Sequence, residues 1–290
     1  MLSITFWEAN PTFYLVSALI FGLLIGSFLN VVILRLPVMM ERNWRSECQD
    51  FLGIEEGKAQ PEPFTLVSPP STCPGCGHRI RAWENIPIAS YLMMRGRCSS
   101  CEMRISSRYP LVEFICGLLT AGIAYTYGVS LLALAVMFFT WALLVLTVID
   151  IDHQLLPDGI TLPLMWLGLI VNSNGLLVPL DQAVWGAAAG YLSLWSVYWL
   201  FKLLTGKEGM GHGDFKLLAA LGAWMGWQAL IMIILLSSVV GAVIGIGMIL
   251  TLGRDRNKPM PFGPYLAVAG WCTLVWNEQI TDFYFKIAGI

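Results

Sequence analysis

Gly209-Met210-Gly211-His212-Gly213-Asp214-Phe215-Lys216 sits directly in front of a long apolar run and sets one carboxylate behind three glycines. Glycine lets a backbone turn sharply and approach another segment closely. An ionisable side chain at the edge of hydrocarbon is costly, and by default it marks function. The fold therefore turns on which partner Asp214 has. Of the 290 residues, 57% are hydrophobic and 12% charged, with a mean hydropathy of +0.68. A soluble domain is less apolar and more charged. Several windows exceed the roughly 18 apolar residues that cross a bilayer, which implies an all-α polytopic membrane protein with every backbone group satisfied inside its own helix. The formal net charge of -2 argues against a nucleic-acid partner and leaves membrane lipid as the surroundings.

The first span is expected at about 12–34. Ahead of it stands Glu8 with no Lys or Arg, unlike a cleavable signal, so this span should be retained. It closes on Gly26-Ser27-Phe28-Leu29-Asn30 and runs to Pro37, with small residues that favour close helix contact. Asn30 is either an interhelical hydrogen bond or part of a pocket. Residues 35–109 turn polar, with ten Lys or Arg and seven prolines, and form an extramembrane domain. Seven more spans follow at about 110–127, 130–150, 159–178, 183–204, 215–226, 228–252 and 262–282, the sixth unusually short. Eight spans place both termini on one side. Of the 17 basic residues, all but Lys286 then fall on the opposite face, through residues 35–109, the loop with Lys202, Lys207 and Lys216, and the loop with Arg254, Arg256 and Lys258. The positive-inside rule makes that face cytoplasmic.

The polar domain holds Cys73-Pro74-Gly75-Cys76 and Cys98-Ser99-Ser100-Cys101, two C-x-x-C pairs 21 residues apart. Each pair suits a knuckle that aims two thiolates at one ion, and two knuckles complete a closed, tetrahedral, structural zinc site. Disulfides are the alternative and need an oxidising compartment, whereas a reducing cytoplasm favours zinc. A domain with so little core of its own needs such a staple. Cys48 has no partner at ligand spacing; Cys116 and Cys272 read as small buried apolar residues.

The third span ends in Asp150-Ile151-Asp152-His153-Gln154-Leu155-Leu156-Pro157-Asp158. Asp150 closes a span that arrives at the cytoplasmic face, and Asp214 opens one that leaves it. The two carboxylates thus lie at one depth, where helix packing can make them neighbours. Two adjacent carboxyl groups share a proton, so one serves as base and the other as acid. Such a dyad activates water toward a peptide carbonyl without metal or covalent intermediate. Lys216 either acts electrostatically on Asp214 or snorkels to the interface. Asp152, Asp158 and Glu113 are acids available to a basic substrate; for Asp152 and Asp158 a solvated place at the interface is the alternative, and Asp158, after Pro157, also reads as the cap of span four. A proton-coupled transporter is a competing reading, but it wants acids at the membrane midplane and duplicated halves. An inactive zinc scaffold explains the cysteines and not the paired acids.

The chain resembles the bacterial type IV prepilin peptidases among the G-x-G-D intramembrane aspartyl proteases. The resemblance rests on Gly26 to Pro37, the paired C-x-x-C region, Glu84-Asn85-Ile86-Pro87, Arg108-Tyr109-Pro110-Leu111-Val112-Glu113, Asp150 to Asp158, Gly209 to Lys216, and Pro261-Phe262-Gly263-Pro264-Tyr265. It implies catalytic aspartates at Asp150 and Asp214, supported by Gly211, Gly213 and Lys216. It implies a multi-pass protein of the bacterial inner membrane whose active site faces the cytoplasm. The implied reaction removes the basic leader of type IV prepilins and type II secretion pseudopilins after glycine. Methylation of the new N-terminus with S-adenosylmethionine then follows, and that activity is associated with residues 35–109. The expected division is thus a first transmembrane helix at 1–34, a four-cysteine zinc domain at 35–109, and a helical protease domain at 110–290. His212 departs from the aromatic expected between the motif's glycines, and the 261–264 turn either caps the site or simply starts the last helix.

Overall fold

The computed structural model describes residues 4–54, 64–252 and 260–288. Arg254, Arg256 and Lys258 lie outside the described residues. Among the described residues the chain is helical with no strand, and four helices are long and apolar enough to cross a membrane by length and composition. The chain divides into two units, residues 1–133 and 134–290.

The first unit holds α1 (Ile4–Ala9), α2 (Pro11–Leu52), α3 (Ala89–Met93) and α4 (Arg108–Tyr127). Small residues let α2 and α4 approach closely: a Cβ on Gly22 would meet Thr120 at 2.6 Å, and one on Gly26 would meet the Glu113 Cα at 2.7 Å. Close packing of this kind replaces the hydrophobic drive that lipid removes. Asn30 donates to the Tyr109 carbonyl at 3.1 Å, which makes it an interhelical hydrogen bond. Tyr14 reaches the Gly128 carbonyl at 2.8 Å and ties the far end of the same pair.

The expected end of the first helix near residue 34 differs from the structure, where α2 runs unbroken to Leu52 and carries Pro37 within it. Residues 38–52 contain neither Gly nor Pro, so nothing local stops the helix. Gly53, at φ 64°, ends it: its N–H bonds Asp50 O and the Ile54 N–H bonds Gln49 O.

The second unit begins within α5 (Leu131–His153) and continues through α6 (Asp158–Ser173), α7 (Leu180–Thr205), α8 (His212–Leu252) and α9 (Gly263–Ala288). Helix α8 is two helices joined at Gly226, where φ 78° and ψ 173° leave helical space. That region is essentially glycine-only, and it coincides with the expected boundary between spans six and seven. The two halves run in opposite directions along α9. In the first half Leu221 lies against Gly270, whereas in the second Gly245 meets Met260 and Gly241 meets Tyr265.

The carbonyls freed by the break find a partner in Asn172 of α6, which donates to Ala223 O at 2.9 Å and Trp224 O at 3.0 Å and accepts from the Val178 N–H at 3.0 Å. Trp224 is fully buried, bonds the Leu164 carbonyl at 2.9 Å and lies over Gly168. On the other side, Gly186 and Gly190 of α7 let its backbone touch that of Gly222 and Leu218. Trp271 of α9 donates to Thr140 of α5 at 3.0 Å.

Candidate functional site

Asp150 occupies the last turn of α5 and is 4% exposed; Asp214 occupies the first turn of α8 and is 7% exposed. The α5 helix ends there because Gln154 turns left-handed at φ 53° and Pro157 follows. The chain then doubles back through Leu156 toward the other aspartate. Leu156 packs on Gly213, where an added Cβ would meet the Leu156 Cβ at 2.7 Å. Gly263 in turn lies against both Leu156 and Asp150, so the two aspartate-bearing helix ends converge on one spot. Each carboxylate is addressed by the backbone N–H of a glycine, Gly211 for Asp214 and Gly263 for Asp150. One oxygen of Asp150 remains buried without a protein partner. Two carboxyl groups so placed, one with a free oxygen, are equipped to share a proton and to polarise a water.

The supporting residues divide. Gly211 is open, with no neighbour to an added Cβ nearer than Asp214 Oδ2 at 3.9 Å, while Gly213 is required by Leu156. Lys216 does not pair with Asp214. It grips Asp158 with 2.7 Å contacts to both carboxylate oxygens, so Asp158 is an ion-pair partner at the start of α6. The N-cap position of α6 is Pro157, and the bonds of the Asp158 side chain go to Lys216. Glu113 is likewise no surface acid. It is buried and accepts the Ile88 N–H at 2.8 Å, holding a turn in which the β-branched Ile88 has φ 59°.

The four cysteines form a second centre within the first unit. Cys73, Cys76, Cys98 and Cys101 bring their sulfurs within 4.8 Å of one another, Cys73 and Cys101 at 3.7 Å, and no disulfide joins them. Tetrahedral ligation at about 2.3 Å from zinc puts sulfurs about 3.8 Å apart, so the set fits one such ion. Each knuckle is closed the same way. The Cys73 N–H bonds His78 O and the Cys98 N–H bonds Met103 O, with Gly77 and Glu102 left-handed at φ 70° and 58°. Isolated bridges Thr72–Arg79 and Arg97–Arg104 flank them. The backbone amides of Gly75 and Cys76 bring the Cys73 thiol down to about 7. The Met103 N–H favours the Cys101 thiolate, but its sulfur neighbours and burial outweigh it and push that thiol up to about 12. Four crowded sulfurs resist collective ionisation, a conflict that a cation resolves.

Sequence reasoning did not foresee what joins the knuckles. Glu84 is buried and accepts from the Arg81 N–H at 2.7 Å, Ser99 Oγ at 2.5 Å and His78 Nε2 at 3.1 Å. His78 follows the first knuckle and Ser99 lies inside the second, so one carboxylate links both. The Arg81 amide, then Ser99 and His78, hold it down to about 2 from the ordinary 4.5. Its only sequence signal was its place in Glu84-Asn85-Ile86-Pro87.

Residues 20–127 match the bacterial peptidase A24 N-terminal domain, and residues 137–246 match the type IV leader peptidase family. A prepilin leader peptidase/N-methyltransferase of Stutzerimonas stutzeri is 57% identical over 288 residues, covering 99% of each chain. One from Pseudomonas aeruginosa is 55% identical over 285 residues, 97% of each, and one from Neisseria gonorrhoeae 51% identical over 263 residues, 91% of each. No solved structure matches. With relatives of this identity along nearly its whole length, and with both domain models falling in order on it, the chain belongs to the type IV leader peptidase family.

Proposed function

We propose that this chain is a bifunctional prepilin-processing enzyme that cleaves the leader of type IV prepilins and pseudopilins after glycine, then methylates the exposed amino group. The observation that carries the reading is the convergence of Asp150 and Asp214 from separate helix ends, both buried, with Leu156 packed on Gly213 beside one and Gly263 against Leu156 and the other. The ionised member of the pair takes a proton from a water, whose oxygen attacks the scissile carbonyl carbon. The protonated member donates to the carbonyl oxygen. Collapse of the tetrahedral intermediate re-forms the carbonyl, breaks the C–N bond and sends a proton to the leaving amine, which restores the shared-proton state.

A pilin precursor carries a basic leader next to an apolar helix, so its scissile bond lies at the membrane edge. Eight spans, with α8 counted as two on either side of Gly226, place both aspartates at that edge, on the cytoplasmic face of the bacterial inner membrane. Cys73, Cys76, Cys98 and Cys101 would hold one zinc ion, whose contribution is to fold residues 35–109. S-adenosylmethionine supplies the methyl group in the second reaction. Among the described residues no strand leads into a glycine-rich helix start, so the chain shows no familiar cradle for that cofactor.

Purified enzyme in detergent should cleave a prepilin, and Asp150→Asn and Asp214→Asn should each lower the rate at least 1,000-fold, about 4 kcal/mol of barrier. Full activity in either variant removes the dyad. Elemental analysis should find about one zinc per chain, the number that two knuckles hold, and Cys73→Ser should lose it.

A further inference from the structure

Gly211 and Gly213 belong to the motif that carries Asp214, and Leu156 accounts for Gly213. It also places a third glycine, 49 positions beyond Asp214, against the other aspartate. Gly263 begins α9, is buried, and lies so close that a Cβ built on it would stand 2.6 Å from Asp150 Oδ2 and 3.2 Å from Asp150 Cγ. Leu156 Cδ1 would be the next neighbour, at 3.1 Å. Ordinary carbon contacts begin near 3.4 Å, so no side chain fits unless the carboxylate moves. Other glycines in close contacts meet apolar side chains, backbone, or neutral polar groups such as the Thr120 hydroxyl against Gly22; Gly263 alone among the described glycines meets a carboxylate below 3 Å. Its N–H is also directed at that carboxylate, as that of Gly211 is at Asp214.

From this geometry we propose that Gly263 is a positioning residue for Asp150, doing from α9 what Gly211 does for Asp214 from its own loop. Its missing side chain lets the Phe262–Pro264 turn press its backbone on the carboxylate and fix the direction of the free oxygen. The α9 start is thereby a third element of the cleavage site. Only the kinetic half of this inference rests on the dyad reading above; the contact itself does not.

Two measurements on the full-length protein in detergent test it. In the first, Gly263→Ala should lower kcat for prepilin cleavage about 100-fold, the order expected when a reacting group moves by about 1 Å. KM should stay within about threefold, and methylation of a pre-cleaved pilin peptide should stay near the wild-type rate. A kcat loss under tenfold, or a parallel loss of methylation, overturns the proposal.

The second is a thermal unfolding cycle that needs no activity. Gly263→Ala should lower Tm by several degrees in the wild-type background and by much less in an Asp150→Ala background, where the collision is gone. Relief by Leu156→Ala instead would show that Gly263 serves only apolar packing and would overturn the positioning role. If the wild type itself fails to cleave, the dyad reading falls, while the thermal cycle still decides whether Gly263 and Asp150 are coupled.

Discussion

Lys216 stands half a helical turn beyond Asp214, yet it directs its charge at Asp158, 58 residues earlier. Neither sequence alternative, an effect on Asp214 or snorkelling to the interface, named this partner, because an ammonium on a four-carbon stem reaches the nearest carboxylate in space. Asp158 is 55% exposed on its side chain, so the pair is worth at most about 1 kcal/mol. Lys216→Ala and Asp158→Ala should each shift Tm slightly, and the double variant no further than either, because both remove one interaction. Glu84 differs in being buried with three donors. Its folded value is depressed, so its contribution is complete above its ordinary 4.5 and is lost as pH falls toward about 2. At neutral pH the clamp is fully present, and Glu84→Gln should therefore release zinc to a chelator several-fold faster than wild type, followed with a colorimetric indicator. Acidification from pH 7 to 5 should release metal from wild type as well, because thiolates must be reprotonated before they let go. Both knuckles were legible, since C-x-x-C is a local pattern. The Glu84 clamp was not, because it depends on three segments meeting.

At the scale of helices, the break in α8 was legible as two apolar runs hinged near Gly226, and Gly226 carries it. Its φ and ψ belong to a region that a Cβ forbids at a cost of about 1–3 kcal/mol. Gly226→Ala should lower Tm by several degrees and slow cleavage, measured by tryptophan fluorescence and prepilin turnover. Asn172→Ala should destabilise by a similar amount, since it strands two buried carbonyls and the Val178 N–H. Nothing in the sequence linked Asn172 to the break, because the bond spans 51 residues. The continuation of α2 to Leu52 was legible in principle: residues 38–52 lack breakers and Gly53 is a ready C-terminal cap. Reading the polar region by composition alone concealed it.

For the molecule as a whole, long apolar windows and the order of motifs were enough to reach the helical membrane class and the family, because both are written along the chain. Contacts such as Gly263 on Asp150 required coordinates. The proposed orientation has its own check: a cysteine introduced beside Arg254 should resist a membrane-impermeant thiol reagent applied from outside, and labelling would reverse the topology. The long α2 also carries a mechanical implication. Pro37 deletes one rung of its hydrogen-bond ladder, which makes that point its natural elbow. The segment after residue 63 lies across it. Arg35, before the proline, holds the carbonyls of Thr65 and Pro69 at 2.9 and 2.7 Å, and Arg42, after it, stacks on Phe64 at 4.4 Å. Residues 64–69 thus act as a splint. Beyond the elbow, residues 38–52 form an arm of about 22 Å, whose angle is set by two arginines gripping one short strap.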